Sequence, residues 1–261
     1  MRSILVQTGR DSGMAARLDT ALNLARATSG HVTLAIDTPI DRFVTVDPYG
    51  GTYVAREALD AALADDDALA KAFAGRLAGD DVPFDVAKFE TQPLDAMINA
   101  AQLADIAVVS RTCGYAGDLA VEGRCPVLVL QPQQALTFPL GVACVAWDGG
   151  DQAAIALRSA IPLLQTCAAV HVLTVLTDKP DGFPSTDAER YLARHGIKSE
   201  LHELPRGNSI EETLAGAVMR LGGQLLVMGA FGHSRMREFL FGGVTRYFLD
   251  DEKGPALLLA H

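Results

Sequence analysis

The residues best able to do chemistry lie at two points in the second half of the chain. One is Trp147-Asp148-Gly149-Gly150, which follows the apolar run Val142-Ala143-Cys144-Val145-Ala146. The other begins at Met228-Gly229, continues Ala230-Phe231-Gly232-His233-Ser234-Arg235, and after nine residues from Gly232 reaches Gly242-Gly243-Val244-Thr245. A glycine leaving a strand, such as Gly229, lets main-chain N–H groups approach a ligand because no Cβ intervenes, and Gly232 permits a tight or left-handed turn. A helix opening at Gly242-Gly243 presents unpaired N–H groups and the positive end of its dipole to an anion. Thr245 can add a hydroxyl, and His233 and Arg235 can reach a phosphate. A carboxylate at Asp148 can accept hydrogen bonds from a ribose or a base. The competing reading makes the glycines ordinary turns and Asp148 a cap for the next helix. Spacing alone leaves both open.

The elements that must position these residues occur twice. Ile4-Leu5-Val6 opens a strand, a helical pattern follows through Leu18, Ala21, Leu22 and Ala25, and Val32 to Ile36 is a second strand. Val142 to Trp147, then Leu157, Ala160, Ile161 and Leu164, then Val172 to Val175 repeat the order. Leu18 to Leu157, Ala21 to Ala160, Leu34 to Leu173 and Ile36 to Val175 all match at an offset of 139, which indicates a duplication. Later elements repeat too. Pro83–Glu90, a helix over 94–103 and strand Ile106–Val109 correspond to Lys198–Leu204, a helix over 210–221 and strand Leu225–Met228. Each half closes on a short apolar run after a proline, Val127–Leu130 and Leu257–Ala260. Strands alternating with helices predict parallel sheets with helices on both faces. The proline-containing stretch 131–139 reads as a linker, giving units at 1–132 and 140–261. The first half alone carries an extra stretch from Ile40 to about Asp81, whose run Asp65-Asp66-Asp67 reads as a solvated helix face or turn.

The halves differ where the chemistry would sit. The first strand ends Gln7-Thr8-Gly9, with no Asp at the matching place, and the segment Arg111 to Gly117 is too short for both a wide glycine loop and a full helix. The first unit is therefore expected to be degenerate, and changes at Gly114 or Gly117 to leave ligand binding nearly intact. Other candidates fall away. Trp147 could stack on a base or simply pack beside the strand end. His171 reads as a core or edge histidine, and His31, His195, His202 and His261 show no ligand spacing. Cys113, Cys125, Cys144 and Cys167 form no CxxC pair and read as reduced small hydrophobes of a cytoplasmic protein. Arg10-Asp11-Ser12 has the letters of a triad without the positioning. No Walker loop or GxGxxG fingerprint supports a P-loop NTPase or a dehydrogenase. The net charge of -10 argues against a nucleic-acid partner, and no stretch is apolar enough to span a bilayer.

The pattern Gly229-x2-Gly232-x9-Gly242 with Gly243-Val244-Thr245, together with Asp148 after a first strand, resembles the universal stress protein family in tandem form. The resemblance implies two tandem open parallel five-stranded sheets, each of order 3-2-1-4-5 with helices on both faces, packed as a pseudo-twofold pair. Antiparallel pairing of the closing strands would join them. It also implies ATP or another adenine nucleotide as ligand, with Mg left open. The residues implied are Asp148, main chain near Val175 and Met228 for the base, and Gly229, Gly232, His233, Arg235, Gly242, Gly243, Val244 and Thr245 around the phosphates. The family often has Ser at the place of Gly243, so one hydroxyl is missing. The implied role is stress-related regulation, with an intramolecular pseudo-dimer and a homodimer left open. A scaffold without nucleotide and a slow ATPase remain as rivals. For the latter only Glu238, Asp250 and Asp251 lie nearby in sequence, in no compelling arrangement.

Overall fold

The computed structural model describes residues 1–46, 49, 52–177, 182–231 and 242–261. The first half builds β1 (Ser3–Gln7), α1 (Met14–Thr28) and β2 (His31–Asp37), then a small hairpin of β3 (Val44–Val46) and β4 (Thr52–Val54). The long helix α2 (Arg56–Leu77) follows, then β5 (Phe84–Phe89), α3 (Pro93–Ala101), β6 (Ile106–Ser110), a short α4 (Ala116–Glu122) and β7 (Val127–Leu130). The second half builds β8 (Val142–Ala146), α5 (Asp151–Leu164), β9 (Ala169–Val175), α6 (Ser185–Arg194) and β10 (Ser199–Leu204). It continues with α7 (Ile210–Leu221), β11 (Leu225–Gly229), α8 (Gly243–Asp250) and β12 (Ala256–Ala260). Local chemistry sets the boundaries. Ser209 Oγ accepts the Glu212 N–H at 3.1 Å to start α7, and Gly222, at φ 67°, ends it.

The strands form one continuous sheet of order β10-β9-β8-β11-β12-β7-β6-β1-β2-β5. Each half contributes five parallel strands in the order 3-2-1-4-5, as the resemblance implies. The difference from two separate sheets arises at the centre. There β12 and β7 pair antiparallel, with Leu257 opposite Val129, Leu258 opposite Leu128 and Leu259 opposite Val127. Read from either end the order is the same, so the halves are related by a pseudo-twofold arrangement through this joint. The joint strands are fully buried, which is why both closing runs are uninterrupted Val, Leu and Ala.

Helices cover both faces. One face packs against α1, α2, α5 and α6 through Leu18, Leu77, Leu157 and Leu192, the other against α3, α4, α7 and α8 through Met97, Leu119, Leu214 and Phe248. The repeat holds at 139 in the first strands and helices but slips in the second strand. Ser3 pairs with His31, whereas Val142, 139 positions on, pairs with Ala169, only 138 positions after His31. Leu34 therefore corresponds to Val172, both on the α1/α5 face, while Leu173 points to the other face. The connection from helix to second strand is one residue shorter in the second half, and a one-residue slip reverses every side chain of a strand.

Candidate functional site

In the second half β8 and β11 are neighbours whose helices leave to opposite faces, α5 to one and α8 to the other. This is the point where strand order reverses, and a crevice opens beyond such strand ends. Of the residues singled out in the sequence, Asp148, Val175, Met228 and Gly229 lie at the carboxyl ends of β8, β9 and β11, and Gly242, Gly243, Val244 and Thr245 open α8. Gly232, His233 and Arg235 lie outside the described residues.

Asp148 sits just past β8, exposed, in a turn in which its Oδ1 accepts the Gly150 N–H at 2.9 Å. Gly149 takes φ 81°, so the turn needs glycine there. Asp148 thus holds the turn that launches α5 while its carboxylate remains open to solvent. Segment 182–183 lies across this turn. The Phe183 N–H donates to Gly149 O at 2.9 Å, and Trp147 Nε1 donates to Phe183 O at 3.1 Å. Trp147 is therefore a packing residue, lining a cleft of about 490 Å³ between α5 and α6.

Gly229 also has a packing purpose that the sequence does not suggest. A Cβ there would lie 2.6 Å from the Gln152 carbonyl carbon and 2.8 Å from Ala153 N, so the glycine lets β11 abut the first turn of α5. The chain continues one residue alongside β12, with Ala230 N–H donating to Ala260 O at 2.8 Å, and then turns at Phe231, whose φ is 58°. A bulky residue with positive φ is rare and must be held by its surroundings. Here the Phe231 N–H donates to Thr245 Oγ1 at 3.3 Å, and a Cβ on Gly242 would lie 3.6 Å from Phe231 Cα. Phe231 and Gly242, the residues on either side of 232–241, thus lie next to each other. Thr245, 3% exposed, ties the ends together through its hydroxyl. Gly242 is the N-cap of α8 and, having no side chain, offers no cap to the first N–H groups of that helix. Met228 is buried, and Val175, Val244 and Phe231 pack into the same apolar cluster on this face.

The corresponding place in the first half is filled by its own side chains. Arg17, 1% exposed, donates through Nε to Gln7 O at 3.0 Å and through Nη1 and Nη2 to the Asp11 carboxylate at 2.8 and 2.6 Å. Gln7 Oε1 accepts the Ser110 N–H at 2.9 Å, bridging the ends of β1 and β6. A cavity of about 310 Å³ opens instead between the ends of β1 and β2 and helix α2, lined by Asp37, Asp65 and Asp66. Burial, and then the Asp66 carboxylate, push the Asp37 carboxyl above the ordinary range. Arg10 is on the same lining, so three carboxylates against one guanidinium leave it net acidic. The Asp65–Asp67 run lies in α2 and pairs outward, Asp65 with Arg10 at 3.4 Å and Asp67 with Lys88.

The first half nevertheless reaches the second-half site, which the sequence did not reveal. A Cβ on Gly117 would lie 2.9 Å from the Phe231 ring and 3.4 Å from Leu249, so α4 forms the floor beneath the loop base. Gly117 therefore packs against the residue that leads into the candidate loop, a contact the sequence does not signal. Arg111, nearly buried, donates Nη1 to Phe248 O at the end of α8 and Nη2 to Pro255 O at 2.5 Å. Burial holds its guanidinium down to about 10, with the Asp251 carboxylate opposing the shift. Gln131 Nε2 donates to Asp251 O at 2.7 Å. Both contacts join residues more than 110 positions apart, and nothing in local sequence signals them. Of the acids near the loop in sequence, Asp250 pairs with Arg246 at 3.4 Å and Asp251 accepts from the Lys253 N–H at 3.0 Å. Glu238 lies outside the described residues.

The four cysteines are free thiols; burial pushes Cys125 and Cys167 up to about 11 and Cys144 to about 12. Among the described residues no helix is long and apolar enough to cross a membrane.

No protein-family model matches the sequence, and comparison with curated proteins gives no match. Solved structures do match. A universal stress protein from Archaeoglobus fulgidus DSM 4304 is similar over 99% of this chain and 96% of its own, with a TM-score of 0.70 at 13% identity. A functionally unknown protein from Pseudomonas aeruginosa PAO1 is similar over 100% of this chain and 92% of its own, with a TM-score of 0.57 at 14% identity. The architecture is that of a two-unit universal stress protein fold.

Proposed function

We propose that this chain is a tandem universal stress protein that binds an adenine nucleotide, ATP foremost, in its C-terminal unit (140–261) and acts in the cytoplasm as a stress-related regulator. The observation that carries the reading is the asymmetry of the two strand ends. In the second half Phe231 is tied to Thr245 at a helix start whose N-cap, Gly242, has no side chain, whereas Arg17, Asp11 and Gln7 occupy the equivalent space in the first. An uncapped helix start beside a switch point suits a phosphate. The exposed Asp148 carboxylate suits ribose hydroxyls or a base N–H. In this reading the unit at 1–132 is structural. It braces α8 through Arg111 and supports Phe231 through α4.

Two measurements test it. Mass spectrometry of small molecules released from the denatured, purified chain should find an adenine nucleotide. Titration with a labelled adenine nucleotide should then show Gly242→Val weakening binding more than tenfold, about 1.4 kcal/mol or greater. Among the described residues the nearest atom to a Cβ at Gly242 is at 3.6 Å, and circular dichroism of the variant separates an effect on the ligand from one on folding. Asp148→Ala should also weaken binding. Gly75→Ala, in open space on α2, is the control and should not. Unchanged affinity in Gly242→Val would place the site elsewhere. Absence of any nucleotide in both measurements would favour a family member working as an interaction scaffold.

A further inference from the structure

The outer edge of the sheet carries a cluster of ligating groups that the nucleotide reading does not use. His171 on β9 and Glu200 and His202 on β10 place their side chains together, with one ligating atom from each lying within 4.8 Å of the others. The strands dictate this. Val170, Val172 and Leu201 pack against the α1/α5 face, so alternation sends His171, Glu200 and His202 to the opposite face. Register sets Glu200 directly across from His171, with His202 two residues further on the same side.

The distances fit a shared ion. His171 Nδ1 and His202 Nε2 are 3.0 Å apart. Two nitrogens bound at about 2.0–2.1 Å to one ion are separated by about 2.9 Å at a right angle and about 3.3 Å at a tetrahedral angle. Glu200 Oε2 lies 3.6 Å from His171 Nδ1 and Oε1 lies 3.8 Å from His202 Nε2, so a small rotation of the carboxylate completes a three-ligand set. Glu200 has that freedom, its side chain being 68% exposed, whereas the histidines are 13% and 23% exposed and held by the sheet. The open side leaves room for water as a further ligand. Imidazole and carboxylate donors select a borderline divalent transition ion over Ca²⁺ or Mg²⁺, which prefer oxygen alone.

The set is particular to the second half. By register, the first-half counterparts of His171, Glu200 and His202 are Thr33, Asp85 and Ala87, which hold one ligating group between them. The cluster is also separate from the candidate nucleotide site. Val175, at the strand end facing the crevice, is four residues beyond His171, about 13 Å along the strand.

We propose that His171, His202 and Glu200 form a binding site for a divalent transition-metal ion of the Zn²⁺ class, clipping the edge strand β10 to β9. The test uses the full, untagged chain and Zn²⁺, by equilibrium dialysis with metal analysis and by calorimetry. One ion per chain is expected. His171→Ala and His202→Ala should lower affinity by about 100-fold or more, beyond the roughly 10–100-fold typical of losing an outer partner. Glu200→Gln should lower it by about tenfold. Zn²⁺ should raise the melting temperature of the parent chain but not of the histidine variants, because only a folded edge offers the site. Cys144→Ala and Cys167→Ala should bind as the parent does, and Co²⁺ should give a spectrum without thiolate charge-transfer bands. Glu200→Gln is a surface change that keeps the test valid should a histidine variant fold poorly. No uptake from excess Zn²⁺, parent-like binding in all three ligand variants, or thiolate bands with Co²⁺ would each overturn the site.

Discussion

Arg111 is where one half of the chain controls the other at the level of a single side chain. Its two hydrogen bonds satisfy the Phe248 and Pro255 carbonyls, one at the end of α8 and one entering β12. Charge-assisted hydrogen bonds of this kind contribute about 1.5–3 kcal/mol, and removing the donor leaves buried carbonyls unpaired. Arg111→Ala should therefore lower stability by about 2–4 kcal/mol, read by denaturant unfolding. Because α8 carries Thr245, the closure at Phe231 should loosen with it, and nucleotide affinity should fall. Stability within about 0.5 kcal/mol of the parent would show that the contact does not hold α8. Arg17 and Asp11 make a second test. The Arg17 guanidinium bonded to Asp11 holds that carboxyl below the usual range. A depressed carboxyl contributes stability that is present above its unfolded value of about 3.9 and is lost as pH falls through the lower folded value. Asp11→Ala should flatten the acid limb of the stability profile in that window. At neutral pH it should cost about 2–3 kcal/mol. The full penalty of a stranded buried cation is reduced because the Asp11 side chain is 40% exposed. An unchanged acid limb would rule the pair out as its source.

Among the elements, the central pair β7 and β12 bears the most weight. Leu258 sits opposite Leu128 with no exposure on either, so a charge at Leu258 has neither water nor partner. Leu258→Lys should cost more than about 4 kcal/mol and make both halves unfold in one lowered transition by calorimetry. If only the second half melts early, the joint does not couple them. These strands were legible in the sequence because runs such as Val127–Leu130 and Leu257–Leu259 have no polar interruption. Helix α7 was legible to the residue because apolar spacing, a serine cap and a terminal glycine agree. The second-strand register was not. Leu34 and Leu173 match as letters but lie on opposite faces, since one residue fewer in a turn leaves composition untouched. The packing role of Gly229 was hidden for a related reason. Its glycine answers to Gln152 and Ala153 on α5, an approach that only packing reveals. The histidine cluster was invisible because His171 and His202 are 31 positions apart and become neighbours only through strand register.

At the scale of the molecule, the proposed function makes the duplication a division of labour. Asp148, Gly242 and Thr245 in the second half stand where the first half has Arg17, Asp11 and a shortened segment through Gly117. Joining β7 to β12 leaves β5 and β10 as the outer strands of the ten-stranded sheet, so the surface through which two single units could associate is already used within the chain. An assembly of identical units carries equivalent pockets, and occupancy of one can tune the next. In this chain the partner unit is permanently attached, always present at equal concentration, and has its own pocket filled by protein. Under the proposed function the response to nucleotide is then a plain hyperbola, graded over nearly two decades of concentration. Such a curve befits a gauge of nucleotide level and not a threshold switch.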